Sequence, residues 1–301
     1  MLCINCGSRQ TIKYGIRTNK NGTDVQRHFC NSCRREFSTS LEMSKSASEV
    51  RRAIVTPDKH FPYEDKPAIN ALVKAINLVK PSIYVDLGDT GEWESVSMWK
   101  WKRKKQPPLE YMIPEIEKEI RAVNNGMDVI DEALDNVKCD ERHFCEGNHD
   151  NWLNRFVEGY PYLPQYRLKN AIKLEERGYT YHPFGKFLKI GKMHFYHGHQ
   201  YGGQYHTANH LRKLGCNIMY GHWHDLQLMT ATHMDGPKSA WSLGCLKDMS
   251  TEANAWLDNR NHNWAHAFAI IDFYGDDFTV DVVQIIDGKC SIWGNMIDGN
   301  S

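Results

Sequence analysis

From Arg51 onward, apolar runs alternate with helical periods, a layout that predicts an α+β or layered αβ domain. Ala53-Ile54-Val55 and Ile83-Tyr84-Val85 are short apolar runs and predict strands. Between them Ile69, Leu72, Val73, Ile76 and Val79 mark one face of a helix. Ile113, Ile116, Ile120, Val123, Met127, Ile130 and Leu134 predict a longer amphipathic helix, with Pro114 suited to its first turn. Both stripes are expected to face the core. Further strands are predicted at 143–145, 193–196, 217–220, 226–230, 267–273 and 278–286. No internal repeat interrupts this pattern.

Residues 1–38 lack such a pattern and read as a separate unit. Cys3-x-x-Cys6 is followed by a polar stretch with turn signals at Gly15 and Asn21-Gly22, then by Cys30-x-x-Cys33 and Phe37. Residues 39–50, rich in serine, read as a linker to a large domain over 51–301.

Composition narrows the function classes. The 301 residues are 41% hydrophobic, enough for one large core plus an appendage. Lys+Arg and Asp+Glu both number 37, so a polyanion partner must be sought in local charge clusters. No stretch approaches the ~18 uninterrupted apolar residues of a membrane span, and the N-terminus has no signal-peptide run. A cytoplasmic protein with no membrane partner is expected. Nine cysteines, four of them in two Cys-x-x-Cys pairs, point to metal rather than to a disulfide framework. Cys139, Cys145, Cys216, Cys245 and Cys290 are expected to be small buried hydrophobes.

A two-residue spacer lets both sulfurs of a pair face one tetrahedral ion, so Cys3, Cys6, Cys30 and Cys33 are expected to hold a structural zinc in a zinc ribbon. Seven basic residues against Asp24 and Glu36 give the first 40 residues a formal excess of five positive charges. Four thiolates and one Zn²⁺ lower that to three. Such a patch suits DNA or RNA, with a protein partner as the competing reading. The stretch from Arg27 to Phe37 resembles zinc ribbons at the front of transposase-associated and phage proteins.

Five short motifs in the large domain are rich in metal ligands, and each follows a predicted strand. They are Asp58-x-His60, Gly88-Asp89, Gly147-Asn148-His149-Asp150, His197-Gly198 and Gly221-His222-Trp223-His224. Their order closely resembles the calcineurin-like metallophosphoesterase family over residues 51–290. The resemblance implies an αββα sandwich and a pair of divalent ions, with Mn²⁺ favoured and Fe or Zn²⁺ as alternatives. It implies that Asp58, His60, Asp89 and His224 hold one ion, and that Asp89 bridges to a second held by Asn148, His197 and His222. A hydroxide between the ions would attack phosphorus, His149 would act as general acid, and Asp150 would orient it or cap the following helix. His199 is expected to touch substrate, support an ion or serve structure.

Departures from the family bear on substrate. Gly88-Asp89-Thr90-Gly91-Glu92-Trp93 lacks the arginine that protein phosphatases of the family use as a clamp, and Gly-Asn-His-Asp is shared with its nuclease and phosphodiesterase branches. Trp99-Lys100-Trp101-Lys102-Arg103-Lys104-Lys105 could neutralise phosphates and stack bases, or be a solvated loop with its indoles packed inward. The expected function is therefore a phosphodiesterase or nuclease. A small-molecule phosphoesterase acting on nucleotides or cyclic nucleotides, and a nucleic-acid-binding or docking protein on an inactive phosphoesterase scaffold, are the alternatives.

Overall fold

The structure is a computed structural model and describes residues 2–18, 24–40, 50–258, 260 and 262–301. The chain divides into two compact units, Met1–Glu49 and Val50–Ser301.

The first unit is an antiparallel sheet of β1 (Thr11–Thr18), β2 (Asp24–Cys30) and β3 (Glu36–Ser40) in that order. Ser38 and Thr39 pair with Arg27 and Gln26, so the third strand runs into the serine-rich stretch expected to be linker. The rest of that stretch, 41–49, and the Asn21-Gly22 turn lie outside the described residues. The two cysteine pairs sit in equivalent knuckles. Gly7 and Arg34 each donate a backbone N–H to the carbonyl of Cys3 or Cys30, and both residues are left-handed, at φ 71 and 59. Among the described residues of this unit the buried apolar ones are Cys3, Cys30 and Phe37, with Val25 beside them in the sheet.

In the second unit β4 (Arg51–Thr56), α1 (Lys66–Val79), β5 (Ile83–Asp86), α2 (Leu109–Asn136), β6 (Glu141–Cys145), α3 (Asn148–Gly159), the single turn α4 (Leu168–Ala171) and β7 (Tyr179–His182) follow one another. Then come β8 (Leu188–Ile190), β9 (Met193–Phe195), α5 (His206–Leu214), β10 (Asn217–Tyr220), β11 (Leu226–His233) and β12 (Gly236–Leu243). The chain ends with β13 (His266–Tyr274), β14 (Asp277–Ile285), β15 (Lys289–Ile292) and β16 (Asn295–Asp298). One sheet has the order β14-β13-β4-β5-β6-β7 and the other β11-β12-β10-β9-β8, while β15 and β16 form a hairpin.

Strand alternation builds the layers. Ala53, Val55, Ile83, Val85, Ala269 and Ile271 meet Met193, Phe195, Met219 and Leu243 between the sheets. Their neighbours Ile54, Tyr84, Phe268 and Ile270 face α1, α2 and α3, and Ile218 and Tyr220 face α5. The result is a mixed α/β sandwich with the αββα layering that the motifs imply.

The long helix starts earlier than its apolar stripe suggested. Pro108 stands at its N-cap, Met112 joins the buried stripe, and Pro114 falls in the second turn rather than the first. The N–H that Pro114 lacks would have reached the carbonyl of Glu110, an exposed residue open to solvent.

On α5, His210 is fully buried, with Nδ1 donating to the His206 carbonyl at 2.7 Å and Nε2 at 2.5 Å from the Tyr196 hydroxyl. Burial pushes it down to about 4. A histidine depressed in the folded state stabilises it above the unfolded value near 6.5, and that contribution is lost as pH falls towards 4. His210→Gln is expected to lose less stability between pH 7 and 4.5 than the parent, by on the order of 1 kcal/mol in urea unfolding. Equal losses would show that the ring accepts its proton in place.

Candidate metal centre

Both sheets deliver their chemistry to one edge. β4, β5, β6 and β7 are parallel, as are β9, β10 and β12, so the loops after their C-terminal ends converge. Asp58 and His60 follow β4, Asp89 follows β5, Asn148 and His149 follow β6, His197 follows β9, and His222 and His224 follow β10. Backbone N–H groups of Lys59 and His60 donate to the Asp89 carbonyl at 3.1 and 3.0 Å, tying the first two loops together. The buried pair Lys59–Asp86, at 2.8 Å, splints them from below.

The motif glycines allow close approach to carboxylates. A Cβ on Gly147 would lie 2.1 Å from Asp89 Oδ1, and one on Gly221 would lie 1.9 Å from Asp58 Oδ2. Four donor residues are themselves left-handed: His60 (φ 55), Asp89 (φ 47), His222 (φ 69) and His224 (φ 61). Backbone strain thus gathers at the donors.

Two donor clusters of the expected ligands result, and His60, Glu92 and His149 form a third group that shares His60. In the first, His60 Nε2 and His224 Nε2 are 3.2 Å apart and lie 3.9 and 3.4 Å from Asp58 Oδ1. In the second, His197 Nε2 lies 3.1 Å from Asp89 Oδ2, 2.9 Å from Asn148 Oδ1 and 3.1 Å from His222 Nδ1. Adjacent ligands on an ion with ~2.1 Å bonds stand about 3 Å apart, so these spacings fit a cation. The rings are braced from behind: His197 Nδ1 donates to the Leu87 carbonyl at 2.9 Å, and His60 Nδ1 meets Glu92 Oε2 at 2.8 Å.

The electrostatics agree with the geometry. Burial pushes His60 down to about 4 and His222 to about 3, leaving their lone pairs free at neutral pH. Burial acts the same way on His197, but the charges of Asp89 and Asp58 outweigh it and hold the ring up at about 9. A proton there neutralises carboxylates that a metal ion would otherwise neutralise.

His149 lines the cleft with Nδ1 donating to the Glu92 carbonyl at 2.9 Å, which leaves Nε2 outside that hydrogen bond. Asp150 does not orient it. The Asp150 carboxylate accepts from Trp93 Nε1 at 2.9 Å and from the Gly147 N–H at 3.2 Å, capping α3 from its third position. Burial, with the charge of Asp89, raises it to about 7. His199 stacks on Phe184 at 4.0 Å and is not among the cleft's lining residues.

Glu92 and Lys247 line the same cleft and were not revealed by the motifs. Glu92 supports His60 and His149, and Lys247 Nζ meets its Oε2 at 2.9 Å. Glu92 sits within the quoted Gly88 run, three residues beyond Asp89, a signal that was available. Lys247 lies outside every motif. The basic loop splits: Trp101 turns inward, donating to the Ser95 carbonyl at 2.8 Å, whereas Trp99 is exposed.

In the small unit Cys3 Sγ and Cys33 Sγ are 3.7 Å apart, as are those of Cys6 and Cys30, and the four form one cluster. Four sulfurs on a zinc with ~2.3 Å bonds are separated by about 3.8 Å, so the set can hold zinc.

No family model matches the chain. It is 24% identical to the Gene 54 proteins of Mycobacterium phages D29 and L5, over 266 and 260 residues, covering 82% of this chain and 98% of each relative. Among solved structures it is similar to Vacuolar Protein Sorting 29 from Cryptosporidium parvum, at 15% identity and TM-score 0.45, with 83% and 98% of the two chains covered. It is also similar to a dimetal phosphatase from Danio rerio, at 12% identity and TM-score 0.40, with 77% and 96% covered. Scores of this size carry no argument about chemistry, which rests on the donors themselves. Among the described residues no helix is long and apolar enough to cross a membrane.

Proposed function

We propose that the chain is a binuclear-metal phosphodiesterase acting on nucleic acid, with a zinc ribbon that helps to engage the polymer in a reducing, cytoplasmic compartment. The observation that carries this reading is the convergence of two histidine–carboxylate clusters on one cleft. Their mixture of imidazole, carboxylate and amide donors suits Mn²⁺, Fe or Zn²⁺. Asp58, His60 and His224 would hold one ion and Asn148, His197 and His222 the other, with Asp89 between them. Such ions acidify bound water and neutralise phosphoryl oxygens.

The chain itself supplies orientation and a proton. Glu92 accepts the Nδ1–H of His149 through its carbonyl and so orients the ring; when Nε2 is protonated as well, it can pass that proton to the departing oxygen. Lys247 and Lys100 line the cleft as cations for the phosphate.

Cleavage of single- and double-stranded DNA, RNA and bis-p-nitrophenyl phosphate with Mn²⁺ tests the reading. His149→Ala is expected to slow polymer cleavage by about 10²–10⁴-fold. It should affect the nitrophenyl diester far less, because nitrophenolate departs without a proton. Turnover of the small diester alone would favour the small-molecule reading. No turnover by a metal-loaded parent would leave only a scaffold.

A further inference from the structure

Five of the nine tryptophans, Trp99, Trp152, Trp223, Trp256 and Trp264, line the same cleft of about 680 Å³ as the metal donors. Ring contacts run across its floor. Trp152 lies 4.0 Å from His149, His149 lies 4.8 Å from His60, His60 lies 5.1 Å from His224, and His224 lies 4.6 Å from Trp264. Trp256 continues the series 6.1 Å from Trp264. Indoles therefore flank the first donor cluster on both sides.

Packing explains some of these rings. Trp152 is buried against His149, and Trp223 stacks on His206 at 5.1 Å. It does not explain Trp99 and Trp256, which are 69% and 63% exposed. Large apolar rings left in water beside a cleft mark a binding surface. Cations accompany them: Lys102 Nζ sits 5.0 Å from the Trp99 ring centre, and among the described residues Arg103, Lys104 and Lys105 have no ion-pair partner.

Alternating flat rings and positive charge complement a phosphodiester strand whose bases are unpaired, because each base then offers a face to an indole. A duplex keeps those faces within its own stack. Phosphoproteins and lipid headgroups carry the phosphate without the rings. We infer that the cleft takes single-stranded nucleic acid, with bases stacked on the tryptophans either side of the phosphate held at the metal donors. The inference rests on the phosphodiesterase reading above and names its substrate.

Fluorescence anisotropy of labelled oligo(dT) twelve-mers, without added divalent ion, tests it on the full chain. An abasic strand of equal length and charge is expected to bind about tenfold or more weakly, as is a hairpin duplex. Trp99→Ala with Trp256→Ala should bring the dT-to-abasic ratio close to one, and the two Phe substitutions should retain most of it, which controls for misfolding. A ratio near one in the parent, or one unchanged in the Ala variant, overturns the inference, the latter because the bases would be read elsewhere. Mn²⁺-dependent turnover of bis-p-nitrophenyl phosphate is measured alongside. Turnover without base preference sinks the stacking cleft alone. Base preference lost in the Ala variant but without turnover upholds the cleft and sinks the hydrolase.

Discussion

Asp89→Asn is expected to lower metal-dependent diester hydrolysis by about a thousandfold and to reduce the large unit from two bound divalent ions to one. Asp89 is buried and has two tasks. Its Oδ2 faces His197 Nε2 at 3.1 Å, and its Oδ1 accepts the backbone N–H of His149 at 2.7 Å. Burial alone would favour its neutral acid, but the facing imidazoles, His197 first, hold it well below the usual carboxylate range. The substitution removes that charge and keeps much else. Asparagine tolerates the left-handed backbone at φ 47 and retains an oxygen for the His149 N–H. A thousandfold corresponds to about 4 kcal/mol, the scale of removing one partner from a buried charge cluster. Metal content by mass spectrometry and kcat/KM with Mn²⁺ check the two halves separately. Two ions with undiminished turnover would remove Asp89 from the centre.

The convergence of the candidate donors was legible because each follows a strand, and the apolar runs Ala53-Ile54-Val55 before Asp58 and Ile83-Tyr84-Val85 before Asp89 are plain. Parallel pairing then turns sequence order into spatial convergence. Other strands carried too little pattern. β8 and β9 have three residues each, and β12 opens on Gly236-Pro237-Lys238 although it lies between β11 and β10. Asp150 had a second reading in its own sequence, as a carboxylate at the third position of a helix, and that role is the one it fills. The supporting contacts were hidden for another reason. Glu92 reaches His60 only after the loops following β4 and β5 meet, and Lys247 reaches Glu92 only when the loop after β12 of the other sheet joins them. Tryptophans 256 and 264 lie in a polar stretch without periodicity, so nothing local distinguished binding rings from packed ones.

Cys30→Ser is expected to abolish the order of residues 2–18 and 24–40 while the unfolding transition of the large unit stays in place. Among the described residues of the small unit, three buried apolar side chains and one strand valine are too small a core to offset the conformational entropy of ordering them. Two of those side chains are cysteines of the metal cluster itself. A zinc ion on the four thiolates would add apparent binding energy that is also folding energy, about 10–16 kcal/mol for four-ligand structural sites. Cys30 is the most exacting position. It is fully buried, and the Cys33 N–H leads the interactions that lower its thiol to about 6, so it presents a thiolate to the ion near neutral pH. Serine offers a poorer donor there. Substitution is preferred to chelation because a chelator would also strip the large unit. Its three cores contain no residue from 1–49 and should melt as before. Limited proteolysis read by mass spectrometry, with the Co²⁺–thiolate absorption band as the metal signal, checks the expectation. Protection of residues 2–18 and 24–40 without bound metal would show that the small sheet folds on its own and that the four thiols serve another purpose.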